Sequence, residues 1–256
     1  MDGRRAQIDA SYFPVTGGVK EPLDPDLLLR AYAGGVFPMA DARDAKSVYW
    51  VEPKTRAILP LDGFHVSKSL RKTLLLDRFE TTANKAFGAV VALCAESAAD
   101  RPATWINGQI ETAVITLHQQ GRAHSVETWQ DGKLVGGLYG IALGRAFFGE
   151  SMVSRATDAS KIALAHLVAR LRVGGYMLLD CQFMTPHLAS LGAVEIRRRD
   201  YMVSLGEAIS STGVTTGNGD FLAFGRVAGL SSPPERTTVS GPMSGWAIAQ
   251  ALTQTS

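Results

Sequence analysis

A chain of 256 residues with 46% hydrophobic and 20% charged residues is long enough for one large domain or two smaller ones with real cores. A net charge of +2 does not by itself indicate a nucleic-acid binder. Two cysteines, Cys94 and Cys181, have no metal-ligand spacing and build no disulfide framework, which points to a reduced compartment. The first residues, MDGRRAQIDASYFP, contain no apolar leader core, and no later run approaches a membrane span. The expectation is a soluble cytoplasmic protein without a membrane partner.

In chain order, Asp24-Pro25-Asp26 opens a helical segment that Gly34-Gly35 ends. Val36-Phe37-Pro38-Met39 reads as a turn, and Tyr49-Trp50 and Glu52-Pro53 as an aromatic and proline patch ahead of a short strand at 56–61. Residues 67–76, SKSLRKTLLL, form a helix with Lys68, Arg71 and Lys72 on its outer side. Such a cluster is either a solvated face or a phosphate-contact patch. A strand at 79–82 and a helix at 85–96 follow. Asn107 is placed to cap a helix carrying Ile110, Ala113, Val114 and Leu117 on one stripe, which Gly121 ends.

Beyond it the period changes to two. Residues 124–129 alternate, and Asp131-Gly132 signals a hairpin. The stretch LVGGLYGIALGRAFFGESMVS, 134–154, reads as two further strands around Leu143-Gly144-Arg145. Four glycines in those strands imply close approach to the backbone, and Glu150 is a carboxylate set among apolar neighbours, costly to bury without a partner. Asp158 is placed to cap a helix over 159–173. A strand at 176–183, a short helix at 186–191 and a last strand at 194–205 complete the order. The sequence β-β-β-α-β-α-β from residue 124 argues for an α+β fold, a mixed sheet with helices on its faces, analogous in topology to GNAT-type acyltransferases. Residues 211–256 contain 20 Gly, Ser or Thr and read as a flexible tail, in which 221–224 and the terminal GWAIAQAL are the segments able to dock.

Strand alternation puts Asp180 and Gln182 on one face, roughly 6.5 Å apart, and Glu150 on one face with Phe148 and Met152. A single crossover helix joins the two strands, so Glu150 and Asp180 can look into one pocket, where two carboxylates and an amide orient an amine and accept its proton. The plainer alternative is a core hairpin with one satisfied Glu. His124 and His187 lie nearest this candidate site. The sequence contains no nucleophile elbow, zinc-ligand spacing, Walker A loop or dinucleotide fingerprint. FGESMVSRATDAS occupies the place where a coenzyme A-binding loop would stand.

Several blocks together resemble the leucyl/phenylalanyl-tRNA–protein transferase family: Gly35-Val36-Phe37-Pro38, Thr104-Trp105-Ile106, His124-Ser125-Val126-Glu127, residues 134–140, Phe148-Gly149-Glu150-Ser151-Met152, Asp180-Cys181-Gln182 and residues 187–193. The resemblance covers about residues 13–205. It implies a small N-terminal domain (15–58), a GNAT-like catalytic domain (59–208) and the tail (209–256). It further implies transfer of Leu or Phe, less well Met, from aminoacyl-tRNA to the α-amino group of proteins beginning with Arg or Lys, marking them for N-degron degradation. No cofactor or metal is implied, and a monomer is expected.

By the same resemblance Asp180, Gln182 and Glu150 are catalytic, with Glu150 facing the substrate amine. Leu138, Ser151, Trp105, Met39 and Tyr32 bind substrate, and Lys68, Arg71 and Lys72 contact tRNA. Met39 replaces an aromatic common after Phe-Pro, and Val114 a Tyr. Two other readings stay open at this stage, a GNAT-like enzyme with another activated donor and a non-catalytic tRNA-binding module.

Overall fold

The computed structural model describes residues 10–13, 22–96, 104–210, 218–227 and 240–253, the strand at 10–13 by its backbone. In chain order the elements are β1 (Ala10–Phe13), α1 (Pro25–Ala33), β2 (Phe37–Met39), β3 (Tyr49–Pro53), β4 (Thr55–Ile58), α2 (Lys68–Leu75), β5 (Glu80–Ala83), α3 (Phe87–Ala95) and α4 (Gly108–Gln119). They continue with β6 (Ala123–Gln130), β7 (Lys133–Leu143), β8 (Ala146–Ser154), α5 (Ala159–Val173), β9 (Leu178–Gln182), α6 (Pro186–Ser190), β10 (Val194–Arg197), α7 (Arg198–Ile209), α8 (Ala223–Val227), β11 (Ser240–Met243) and α9 (Gly245–Thr253).

Two sheets result. A small antiparallel one has the order β1-β3-β2, and an eight-stranded one runs β10-β4-β9-β8-β7-β6-β5-β11. Every pairing in the large sheet is antiparallel except β8 with β9, which is parallel and is joined through α5, as a parallel pair requires a crossover. The fold is therefore α+β with a mixed sheet flanked by helices, as the sequence implies.

The large sheet has a core on each face. One contains Leu70 and Leu74 of α2, Leu164 and Leu167 of α5, and Ile248 and Leu252 of α9. The other contains Leu28 of α1, Val90 of α3, Ile110 of α4 and Tyr201 of α7. Capping follows the sequence at α1, where the Asp24 carboxylate accepts from the amides of Asp26 and Leu27, and at α4, where Asn107 Oδ1 accepts from the Ile110 amide.

Three expectations are corrected. The expected strand over 194–205 ends at Arg197 and gives way to helix α7. Its apolar residues Tyr201, Leu205 and Ala208 recur at helical spacing and are buried. Asp158 stands before α5 in a left-handed conformation, and its side chain caps nothing; it accepts from Lys161 Nζ at 2.7 Å instead. β4 belongs to the large sheet, between β10 and β9, although the sequence reading places residues 55–58 in the small N-terminal domain. There β4 pairs antiparallel with both neighbours, Ile58 opposite Asp180 and Ala57 opposite Glu195.

The tail segments that the sequence marks as able to dock do so. Among the tail's described residues, β11 forms an edge strand on β5, and Phe221, Phe224, Met243, Ile248 and Leu252 are buried in the first core. Five apolar side chains among many small polar ones suffice to dock it, because each is worth about 1.5–3 kcal/mol when buried.

The glycines of the central hairpin make room for the protein itself. A Cβ on Gly136 would lie 2.6 Å from the Ala159 Cβ of α5, and one on Gly140 would collide with the Phe148 carbonyl and the Phe147 ring. Helix α5 thus seats directly on β7.

Candidate active site

The site grows from an irregularity in the β7–β8 pair. Tyr139 opposes Ser151, but Gly140 opposes Gly149, so Glu150 is the extra residue of a bulge. The bulge breaks the alternation that would put Phe148 and Met152 on one face. Phe148 packs in the core containing α1 and α7, whereas Met152 packs against the α5 side. Glu150 sits where the strand changes sides and reaches groups of both layers.

Its Oε1 accepts from the Tyr32 hydroxyl of α1 at 2.7 Å and from Gln182 Nε2 at 2.9 Å. Burial raises the Glu150 carboxyl from the ordinary range to about 8; the Tyr32 hydrogen bond, the Arg56 charge and the Gln182 hydrogen bond oppose that shift, and the Asp180 charge adds to it. Tyr32 is held well above its usual pKa by burial and by the same carboxylate. It is therefore a fixed donor, and its ring lies 4.8 Å from that of Phe148.

Asp180 has a different environment from the one alternation implies. It is fully buried, and Arg56 Nε and Nη2 donate to its two oxygens at 2.9 and 2.6 Å. The Tyr201 hydroxyl donates at 2.8 Å, as does the Gln182 amide. Arg56 also donates to the Gly35 carbonyl and lies between the rings of Phe37 and Tyr201, at 4.6 and 4.7 Å. The expected pocket shared by Glu150 and Asp180 is not formed. The carboxylate of Asp180 points into the layer of α7, on the opposite side of β9 from Leu179 and Cys181. Gln182 links the two acids. Its φ of 62° turns the chain so that its amide meets Asp180 while its side chain meets Glu150.

A cavity of about 300 Å³ opens on the α5 side, lined by Leu138, Glu150, Ser151, Met152, Leu164, Leu167, Gln182 and His187 among others. Its walls are mostly apolar, and Glu150 and Gln182, hydrogen-bonded to each other, lie on its wall. Of the residues singled out in the sequence, Leu138, Ser151, Glu150 and Gln182 line it, and Tyr32 and Asp180 back it. Trp105 and Met39 lie in the core layer of α1 and α4, linked through the Trp105 carbonyl, which accepts from the Ala40 amide; neither lines the cavity. Lys68, Arg71 and Lys72 are exposed on α2. His124 is buried away from the site, stacked on Phe221 at 4.1 Å, and burial lowers its pKa to about 3. Arg56 and Tyr201 were not foreseen. A strand arginine and a helix tyrosine carry no local signal, although an Asp expected in a core implies that some cation must meet it. Among the described residues no group of three or more His, Cys, Asp or Glu could hold a metal ion, and no helix is long and apolar enough to cross a membrane.

An apolar slot with a buried carboxyl at its wall, on a mixed sheet flanked by helices, has the shape and chemistry to hold an amino acid's apolar side chain beside its amine, as an aminoacyl-group transferase requires. Comparison with known proteins makes the family particular. The leucyl/phenylalanyl-tRNA protein transferase model matches residues 58–206, and the model of that enzyme's N-terminal domain matches residues 21–54. A protein named leucyl/phenylalanyl-tRNA–protein transferase from Rhizorhabdus wittichii is 57% identical over 245 residues, covering 91% of this chain and 99% of the relative. Proteins of the same name from Zymomonas mobilis and Paramagnetospirillum magneticum are 60% and 61% identical, over 77% and 75% of this chain and 74% and 91% of theirs. The chain belongs to the leucyl/phenylalanyl-tRNA–protein transferase family and is an aminoacyltransferase.

Proposed function

We propose that this enzyme moves Leu or Phe, and less well Met, from aminoacyl-tRNA to the α-amino group of proteins beginning with Arg or Lys. The observation that carries the reading is the cavity of about 300 Å³ with the Glu150–Gln182 pair on its wall. An unbranched or γ-branched apolar side chain fits among Leu138, Met152, Leu164 and Leu167. The amine of the same aminoacyl group then falls to Glu150, whose raised pKa leaves it largely protonated until a cation arrives. Docking of the ammonium group restores the carboxylate and gives its charge a partner.

The ester to the terminal ribose is already activated, so the site needs positioning more than strong acid or base chemistry. The acceptor's neutral amine attacks the ester carbonyl carbon, a C–N bond forms, and the C–O bond to the ribose breaks. One proton leaves the nitrogen and one is taken up by the departing ribose oxygen. With Nε2 donated to Glu150, the Gln182 carbonyl oxygen is the group available to accept an N–H from the attacking amine. Asp180 serves as a positioning residue. Its oxygens already accept from Arg56, Tyr201 and the Gln182 amide, which makes it a poor base and a firm anchor for Gln182.

The acceptor preference follows from family resemblance, as does the consequence that tagged proteins enter N-degron degradation. The enzyme acts as a monomer in the cytoplasm, where charged tRNA is made, and Lys68, Arg71 and Lys72 take the tRNA backbone. The test is transfer of radiolabelled Leu, Phe, Met and Val from their charged tRNAs to peptides differing only in the first residue. Leu and Phe passing to Arg- and Lys-starting peptides, with Val excluded, is the expected result. Equal transfer to peptides beginning with Asp or Glu removes the acceptor assignment.

A further inference from the structure

The family model ends at residue 206, yet the helix near the end of the chain is built firmly onto the domain. Helix α9 is held at both ends by side chains from it. Asp77 Oδ1 accepts from the Gly245 amide at the helix start, and Arg172 Nη1 donates to the carbonyls of Ala251 and Leu252 in its last turn. Gly245 meets the backbone of α2 so closely that a Cβ there would collide with the Leu74 carbonyl oxygen. Ile248 and Leu252 are buried between α2 and α5. Trp246, the first residue after that close approach, faces outward with 58% of its surface exposed; the other exposed residues of the helix, Gln250 and Thr253, are polar.

Helix α2, on which α9 packs, presents a particular surface beside it. Leu75 and Leu76, at the end of α2, are also exposed. Lys68, Arg71, Lys72 and Arg78 are exposed along and just beyond the same helix, and none has an ion-pair partner among the described residues. Neither α2 nor α9 carries a carboxylate, and the nearby Asp77 is occupied in capping α9. This face of the molecule also holds α5, whose Leu164 and Leu167 line the cavity. An exposed aromatic on one helix and unneutralised cations on the helix packed against it form the combination that grips unpaired nucleotides, with the ring stacking on a base and the cations taking the phosphates.

From this we propose that Trp246 stacks on an unpaired nucleotide of the donor tRNA, so that α9 and α2 form one RNA-binding surface. This rests on the reading of aminoacyl-tRNA as donor, and it adds a contact made by a segment beyond the family domain. A protein partner would meet the same apolar patch, but it has no need of four free cations, and this makes RNA the favoured occupant.

The experiment uses the full chain and fluorescein-labelled, uncharged leucine tRNA, with affinity read by anisotropy across a salt series. Trp246→Ala is expected to weaken binding roughly tenfold without changing the salt slope, and Trp246→Phe to recover most of the loss. Arg71→Ala is expected to weaken binding and flatten the slope by about one unit. The KM for charged tRNA should rise with the Kd in Trp246→Ala, and that for the acceptor peptide should not. Trp246→Ala binding within twofold of wild type, in an enzyme that still transfers Leu, overturns the inference and leaves the donor assignment standing. A raised acceptor KM with unchanged tRNA affinity overturns it in favour of a protein contact. Failure of the wild-type enzyme both to bind tRNA and to transfer Leu overturns the donor assignment itself.

Discussion

The hydroxyl of Tyr32, on the first helix, donates to Oε1 of Glu150 at 2.7 Å, across 118 residues of sequence. The contact ties the N-terminal region to the wall of the cavity, and Arg56 repeats the arrangement at Asp180. Both carboxylates of the site are thus held by groups from the first 60 residues. The N-terminal region helps to hold the candidate site, and its removal is expected to disable it.

Glu150 has a folded-state pKa near 8 against an ordinary value of 4.5. Between those values the folded protein holds more protons than the unfolded chain, so stability falls as pH rises through that window. Thermal unfolding of wild type is expected to move to lower temperature from pH 5 to 8, and Glu150→Gln to remove most of that slope. A variant with the wild-type slope would show that Glu150 is charged in the free enzyme.

Asp180→Asn and Arg56→Met each leave one member of a buried pair without its partner. Each is expected to cost about 3–5 kcal/mol in denaturant unfolding and to abolish transfer. Tyr201→Phe removes one hydrogen bond to the carboxylate, at about 1.5–3 kcal/mol. As a positioning residue it should lower kcat for transfer with little change in KM. A Tyr201→Phe enzyme with unaltered kcat would take α7 out of the mechanism.

Leu138 lines the cavity opposite Met152 on the neighbouring strand. Leu138→Phe fills part of the slot and is expected to reduce Phe transfer at least tenfold relative to Leu, since overfilling a packed site costs about 1–3 kcal/mol. The readout is the ratio of kcat/KM for the two charged tRNAs; an unchanged ratio would move the side-chain subsite elsewhere.

Truncation after residue 210 is expected to destabilise the protein strongly. It uncovers the sheet edge at β5 and removes Phe221, Phe224, Met243, Ile248 and Leu252 from the core, a gross loss of about 10 kcal/mol. Loss of solubility, with aggregation through the bare strand, is the outcome to measure by light scattering. A truncated chain as stable as the full one would show the tail to be dispensable.

Much of the fold was legible because it is written locally. Asn107 announced its helix by capping chemistry, Asp131-Gly132 its hairpin, and the apolar stripe from Ile110 to Leu117 its buried face. At 198–209 the reading failed because Arg198-Arg199-Asp200-Tyr201 follows an authentic strand, and nothing nearby marks the change of period. In the tail, Phe221 was noticed and its partner was not. The stacked His124 ring lies 97 residues away in sequence, and such a contact leaves no trace in composition.

What the sequence determined alone was the inventory, namely the helices and strands with strong local signals, the α+β class, and the presence of Glu150, Asp180 and Gln182 in strands joined by one crossover. Only tertiary structure decided how those three meet. Alternation assigned Glu150 and Asp180 to one pocket, but the bulge at Glu150 shifted its strand by one residue, and the left-handed turn at Gln182 redirected its side chain. A period of two is a property of regular pairing, and one inserted residue reverses every face beyond it. The cation that settles Asp180 comes from 124 residues earlier, brought there by the pairing of β4 with β9, a long-range contact that no local pattern encodes.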